Sequence, residues 1–189
     1  MKSIRLLVLA AALLVAALAN AGQNADRLNN IWAYAQNRID RQTDVWFEDG
    51  DYPATIQMLK VAAELNPHNY DIVTNLGWMQ ENVQQYEAAV STYERFRSDN
   101  PKDPDAALPI AQYYFMKKQY AKIPTILEPM MDAKGKPHAN NFRILANSYE
   151  KLGKLTDAQR VLEHYIALAP DDLQAQANLR RVQKKLQGG

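Results

Sequence analysis

The sequence predicts an all-α protein made of stacked helix pairs, and three observations carry that prediction. Helix-closing prolines recur at a fixed distance: Pro67 and Pro101 stand 34 residues apart, and Pro170 follows Pro101 by 69, two such periods plus one residue. Between the prolines, apolar residues return at three- and four-residue spacing, which gives each segment one buried helical stripe. Small residues (Gly77, Ala111, Ala146) sit where two antiparallel helices must approach closely, with bulky Trp46, Tyr114 and Tyr149 in the neighbouring turn. A single pair of this kind cannot bury its own face, so neighbours must stack into a continuous core.

Before the repeats, the chain opens as a targeting segment. Lys2 and Arg5 precede an apolar run from Leu6 to Ala19, and Ala19-Asn20-Ala21 forms an A-x-A cleavage pattern. As a helix that run is roughly 21 Å long, short of the roughly 30 Å of a hydrocarbon core. Residues 1–21 are therefore expected to be a cleavable signal peptide, with an uncleaved anchor as the alternative. A periplasmic or secreted bacterial protein follows as the expected localisation. The chain has no cysteine, which excludes a disulfide, a thiol nucleophile and a lipid-bearing cysteine after the signal.

Removing residues 1–21 takes away Lys2 and Arg5 and no acid, leaving 20 basic against 21 acidic side chains. Nucleic-acid binders carry a basic patch or stripe. The basic runs here, Arg180-Arg181 and Lys184-Lys185, belong to the solvated face of a short last helix. Neither a nucleic-acid partner nor a membrane partner after cleavage is expected.

The individual elements follow from local signals. Leu28, Trp32, Ala35, Ile39 and Trp46 keep helical spacing with no Gly or Pro between them, so a first helix is expected from near Asp26. Asp49-Gly50-Asp51 is a turn. Asp171-Asp172 caps a last helix over about Leu173 to Leu186, which turns Ala175, Leu179, Val182 and Leu186 to one side. That is the solvating end a repeat stack requires.

These residues resemble the tetratricopeptide-repeat family in four registers. The first, 36–69, carries Ile39, Thr43, Trp46, Thr55, Leu59, Ala62 and Pro67; the second, 70–103, carries Val73, Leu76, Gly77, Ala89, Tyr93, Phe96 and Pro101. The third, 104–138, has Ala107, Ile110, Ala111, Tyr114, Ile123, Leu127 and Met130. The fourth, 139–172, has Phe142, Leu145, Ala146, Tyr149, Ala158, Leu162, Tyr165 and Pro170. The resemblance implies a right-handed α-solenoid of about four helix pairs over 36–172. An N-terminal helical extension over 22–35 and a capping helix with tail over 173–189 complete it.

The third unit departs from the pattern. Pro109 is expected inside its first helix and Pro129 near the middle of its second, where a proline costs on the order of 3 kcal/mol. Pro124 falls in a first turn and is tolerated, and Gly135-Lys136-Pro137 accommodates the extra residue. A bend that merely distorts the stack and a bend that shapes a site are both open readings.

Family resemblance also implies a partner groove lined by the first helices of the units, at positions two, five, nine, twelve and thirteen. These rows contain Asp40, Asp44, Phe47, Trp78, Glu81, Gln112, Phe115, Met116, Arg143, Asn147 and Glu150. Exposed rings beside acids suit an extended segment with apolar side chains and a basic residue. Full burial of Trp78 and Phe115 would remove that reading. Some relatives grip a C-terminal carboxylate with Lys, Asn and Arg; Arg143, Asn147 and Asn178 resemble part of such a clamp, but Asp40 and Asp44 put acids where it needs other groups.

No catalytic signature is present: His68, His138 and His164 occupy different repeat positions, and no Gly-rich phosphate loop, G-x-S-x-G or H-E-x-x-H occurs. No enzyme, cofactor or metal is expected. The leading expectation is an adaptor or scaffold for a protein or peptide, possible settings being envelope assembly or secretion. The alternative is a small-ligand module with a pocket near Pro109. The long first helix could pair with another copy or cover its own groove, so the oligomeric state stays open.

Overall fold

Local capping chemistry sets where each helix begins. In a computed structural model, which describes residues 26–131 and 137–188, the chain is helical throughout and no strand occurs among the described residues. The first helix, α1, is described over 26–48. There follow α2 (Tyr52–Leu65), α3 (Tyr70–Asn82), α4 (Tyr86–Asp99), α5 (Leu108–Met116), a 3-10 turn over Tyr120–Lys122, α6 (Ile123–Met131), α7 (Ala139–Lys151), α8 (Leu155–Leu168) and α9 (Leu173–Gly188). The signal-peptide reading of residues 1–21 and the residues Gly135 and Lys136 lie outside the described residues.

A helix N-terminus leaves backbone N–H groups without partners, and polar side chains take them up here. Asp51 Oδ1 accepts from Ala54 N at 3.2 Å, and Asn69 Oδ1 accepts from Ile72 N at 3.1 Å. His138 Nδ1 accepts from Asn140 N at 3.2 Å, while Asp172 Oδ1 accepts from Gln174 N and Ala175 N, both at 3.0 Å. The cap expected at Asp171-Asp172 thus falls on Asp172.

The repeat is also written in the backbone. Asp51 N donates to Trp46 O, Gln85 N to Gln80 O, Gln119 N to Tyr114 O and Lys154 N to Tyr149 O, at 2.7–2.9 Å. Within each of these turns one residue takes a left-handed conformation: Gly50 (φ 77°), Gln84 (φ 64°), Lys118 (φ 57°) and Gly153 (φ 74°). This is a Schellman helix ending. Because the two middle turns use Gln and Lys where glycine is favoured, the repeat is harder to find from glycines alone.

Two compact units divide the chain, Met1–Met58 and Leu59–Gly189. In the first, α1 ends on the Gly50 turn and the rings of Phe47 and Tyr52 lie 6.0 Å apart. In the second, α3 packs on α4, α7 on α8 and α9 on α8, while α6 and α5 both meet α7. One apolar core runs through these helices, from Val73 and Phe96 through Ile110, Leu127 and Phe142 to Leu162 and Val182. An all-α solenoid with a terminal capping helix results.

The third helix pair corrects one expectation. After Pro67 and Pro170 the next helix starts three residues on, but after Pro101 it starts only at Leu108. The intervening residues form successive turns: Asp103 N donates to Asn100 O, Ala106 N to Asp103 O and Leu108 N to Asp105 O. Pro109 therefore sits in the first turn of α5 rather than inside a helix, where its missing N–H has no consequence. Pro129 does lie inside α6. The turns are pinned to α7, since Asp105 Oδ1 accepts from His138 N at 2.7 Å and from Asn141 Nδ2 at 2.6 Å.

Arginine–carboxylate bridges brace successive pairs. Arg95 reaches Glu64, Arg160 reaches Glu128, Arg143 reaches Asp172, and Arg181 with Lys185 reaches Glu150. The hydrogen bond from Arg181 leads in holding the Glu150 carboxyl below its ordinary 4.5, with Lys185 adding to it. Burial raises Glu128, but Arg160 and the Tyr149 hydroxyl outweigh it and leave the group lowered. Asp172 is lowered chiefly by the Ala175 N–H, then by Tyr165 and Arg143 against the opposing effect of burial.

Folded-state values below the unfolded ones stabilise the fold above the unfolded values, and that contribution is lost as pH falls through the folded ones. The melting temperature is accordingly expected to be flat between about pH 7 and 5 and to drop below about 4.5. Glu150→Gln is expected to shallow that drop. A melting curve that rises on acidification would contradict the assignment.

Candidate functional site

The first helices of the second and third pairs, α3 and α5, place their exposed side chains along one cleft of about 630 Å³. Trp78, Glu81 and Asn82 of α3, with Thr74 and Asn75, form one wall. Pro109, Gln112, Tyr113 and Met116 of α5 form the other, with Lys117, Tyr86 and Tyr93 closing the ends and floor. Trp78 is 52% and Met116 71% exposed. Large apolar groups so open to water mark contact surfaces.

The floor depends on one small residue. Tyr93 lies with its ring against the α3 backbone at Gly77, where an added Cβ would stand 2.1 Å from Cε1. From there the Tyr93 hydroxyl donates to Glu81 Oε1 at 3.1 Å. Burial, then the charge and hydrogen bond of Glu81, push the Tyr93 hydroxyl far above the usual phenol range. Glu81 is thereby fixed at the cleft wall.

A cation already lies on the aromatic side. The Lys117 ammonium is 4.1 Å from the centre of the Tyr86 ring and 5.5 Å from that of Tyr113, a cation–π arrangement that places positive charge beside the apolar wall.

Of the residues expected at the groove, Trp78, Glu81, Gln112 and Met116 come together in this cleft. Phe115 does not line it: the ring is half-buried and meets Tyr120 edge-on at 5.4 Å. Arg143, Asn147 and Glu150 are turned to the capping region instead. Arg143 Nη2 donates to Asp172 Oδ2 at 2.7 Å, Asn147 Oδ1 accepts from Arg181 Nη2 at 3.2 Å, and Glu150 takes Arg181 and Lys185. Asn178 accepts from Arg181 as well, so the side chains that resemble a carboxylate clamp are engaged within the protein. Asp40, Asp44 and Phe47 are exposed on α1, in the first compact unit. Tyr86 and Lys117 are among the lining residues that groove positions alone miss, because Tyr86 opens a second helix and Lys117 follows the end of α5.

Each histidine has a structural contact. His68 Nδ1 lies 2.5 Å from Asn100 Oδ1, His138 caps α7, and His164 stacks on Phe142 with Nε2 3.2 Å from Met131 O. Among the described residues no group of three or more His, Asp or Glu could hold a metal ion. Among them, too, no helix is long and apolar enough to cross a membrane.

Comparison with known proteins agrees with this architecture. A tetratricopeptide-repeat family model matches residues 47–113, and the model described as anaphase-promoting complex, cyclosome, subunit 3 matches residues 82–165. Together the two matches and the fold support a protein of the tetratricopeptide-repeat family, whose members are in general non-enzymatic scaffolds for protein–protein interaction.

Among solved structures, a tetratricopeptide-repeat protein from Parabacteroides merdae is similar with a TM-score of 0.62 at 17% identity, over 80% of this chain and 60% of that one. The chain thus spans less than two thirds of that protein's length. MamA is similar with a TM-score of 0.58 at 17% identity, over 76% and 83% of the two chains. A MamA segment from Desulfovibrio magneticus gives 0.58 at 16%, over 79% and 84%. At these identities the likeness is one of fold. No curated protein matches the chain.

Proposed function

We propose that this protein is an exported adaptor that holds a segment of a protein partner in the cleft between α3 and α5. The observation that carries the reading is the exposure of Trp78 and Met116 on opposite walls of one cleft with fixed polar groups beside them. An aromatic anchor set among oriented polar groups is the usual composition of a binding hot spot. Export rests on Lys2, Arg5, the apolar run Leu6 to Ala19 and Ala19-Asn20-Ala21. Envelope assembly or secretion are the settings that fit such a leader.

A small-ligand reading has one observation in its favour: Pro109 lines the cleft, and the volume falls in the range of small-molecule sites. Against it, such sites enclose most of their ligand, whereas Trp78, Gln112 and Met116 stand open to solvent.

Capture of partners by the tagged protein from envelope fractions of the source cells tests the adaptor role. Trp78→Ala and Met116→Ala are each expected to lower recovery roughly tenfold with the melting temperature nearly unchanged for Met116→Ala. Phe115→Ala is expected to do the reverse, losing stability through its contact with Tyr120 while recovery persists. Recovery that ignores both cleft substitutions would exclude the cleft. Detection of a mature N-terminus at Gly22 would support the leader, and a retained Met1 would count against its cleavage.

A further inference from the structure

Beside the cleft, α5 borders a second hollow of about 350 Å³, lined by Tyr70, Asp103, Asp105, Leu108, Gln112, His138 and Asn140. Gln112 borders both spaces. Leu108, Gln112 and Met116 are spaced four apart on one helix face, so a segment lying along α5 would meet both spaces, with Met116 at one end of this groove and Leu108 at the other.

The two ends differ in charge. At the Met116 end, Glu81 is accompanied by the Lys117 ammonium. At the Leu108 end, Asp103 and Asp105 line the hollow, and among the described residues no Lys or Arg pairs with either. This contrasts with Glu64, Glu128, Glu150 and Asp172, which all face an arginine or lysine. The Tyr70 hydroxyl reports the local field: burial first, then the charges of Asp105, Asp71 and Asp103, push it up to about 12. Asn141 is 3% exposed, donates to Asp105, and leaves Oδ1 without a hydrogen-bond partner among the described residues.

We propose that the groove takes an extended peptide segment that seats a large apolar side chain between Trp78 and Met116 and a lysine or arginine against Asp103 and Asp105. The proposal rests on the reading of the cleft as a partner site and specifies the partner's chemistry. Charge complementarity selects the order of the two contacts, since Lys117 disfavours a second cation at the aromatic end. Met116 stands eight positions after Leu108 on α5, about 12 Å along the axis. An extended strand covers that distance in three to four residues at roughly 3.3 Å each. The basic residue therefore stands three or four positions from the apolar one.

A random dodecapeptide phage library selected against the full chain tests this, with fluorescein-labelled copies of the enriched peptides titrated by fluorescence anisotropy. The expected result is enrichment of peptides carrying Lys or Arg three or four residues from Trp, Phe, Leu or Met. Their affinity is expected to fall roughly tenfold in the Asp103→Asn/Asp105→Asn variant and roughly tenfold in Met116→Ala. Asn keeps the single oxygen that Asp105 N uses on residue 103 and that His138 N and Asn141 Nδ2 use on residue 105, and a melting curve checks that the fold is intact. Enriched peptides that are neutral or acidic, yet weakened by Met116→Ala, would overturn the basic partner while leaving the cleft as the site. No enrichment, or binding indifferent to Met116→Ala, would overturn both.

Discussion

Replacing Gly77 by alanine is expected to destabilise the protein by about 2 kcal/mol, even though alanine is the better helix former by about 1 kcal/mol. The added Cβ would stand 2.1 Å from Tyr93 Cε1, 2.3 Å from Cζ and 2.6 Å from Oη. Tyr93 is 5% exposed and its hydroxyl is tied to Glu81, so a shift of the ring disturbs that contact. Either the ring shifts and gives up its hydrogen bond, or α3 and α4 separate. Steric conflict outweighs propensity here because the atoms overlap well inside contact distance.

Chemical denaturation of Gly77→Ala in the wild-type and Tyr93→Ala backgrounds checks the cause. With the ring removed, the alanine is expected to be neutral or mildly stabilising. Equal destabilisation in both backgrounds would show that the clash is not with Tyr93. Because Tyr93 also floors the cleft, Gly77→Ala is expected to weaken partner capture as well.

Asp172→Ala is expected to cost about 3 kcal/mol through two losses. The side chain caps α9 by accepting from Gln174 N and Ala175 N, and such a cap contributes about 1 kcal/mol. Its other oxygen receives Arg143 at 2.7 Å and the Tyr165 hydroxyl at 3.0 Å. Arg143 and Asp172 side chains are 27% and 16% exposed, so losing the acid leaves a largely dehydrated guanidinium without a counter-charge. Asp172→Asn keeps a good cap through its one carbonyl oxygen but loses the charge and the acceptor that Arg143 and Tyr165 use, and is expected to fall between wild type and alanine. Hydrogen exchange in α9 measures the local effect; alanine no worse than asparagine would remove the cap from the account.

The helix pairs could be read from the chain because their signals are local: prolines at a 34-residue period, stripes of three- and four-residue spacing, and a terminal Asp cap. The third pair was only partly readable. Pro109 looks helix-interior when a helix is assumed to start three residues after Pro101, but the turns at Asp103 and Asp105 delay it to Leu108.

For the site, Trp78, Glu81, Gln112 and Met116 were predictable from the face of a first helix. Phe115 was not, since one residue's rotation on α5 separates the Tyr120 contact from the cleft. The destination of Arg143, Asn147 and Glu150 depends on Asp172, Arg181 and Lys185 some thirty residues later. Such long-range charge pairing leaves no mark in a local pattern. Lys117 over Tyr86 was missed for the same reason.

Site-specific photocrosslinking tests the central claim most directly, with benzoylphenylalanine placed in cells at position 112 or 116 and, as a control, at the exposed position 125 on α6. The cleft account predicts a discrete adduct with a protein partner from positions 112 and 116, absent from position 125 and reduced by Trp78→Ala. Adducts of equal yield from all three positions, or from position 125 alone, would contradict it.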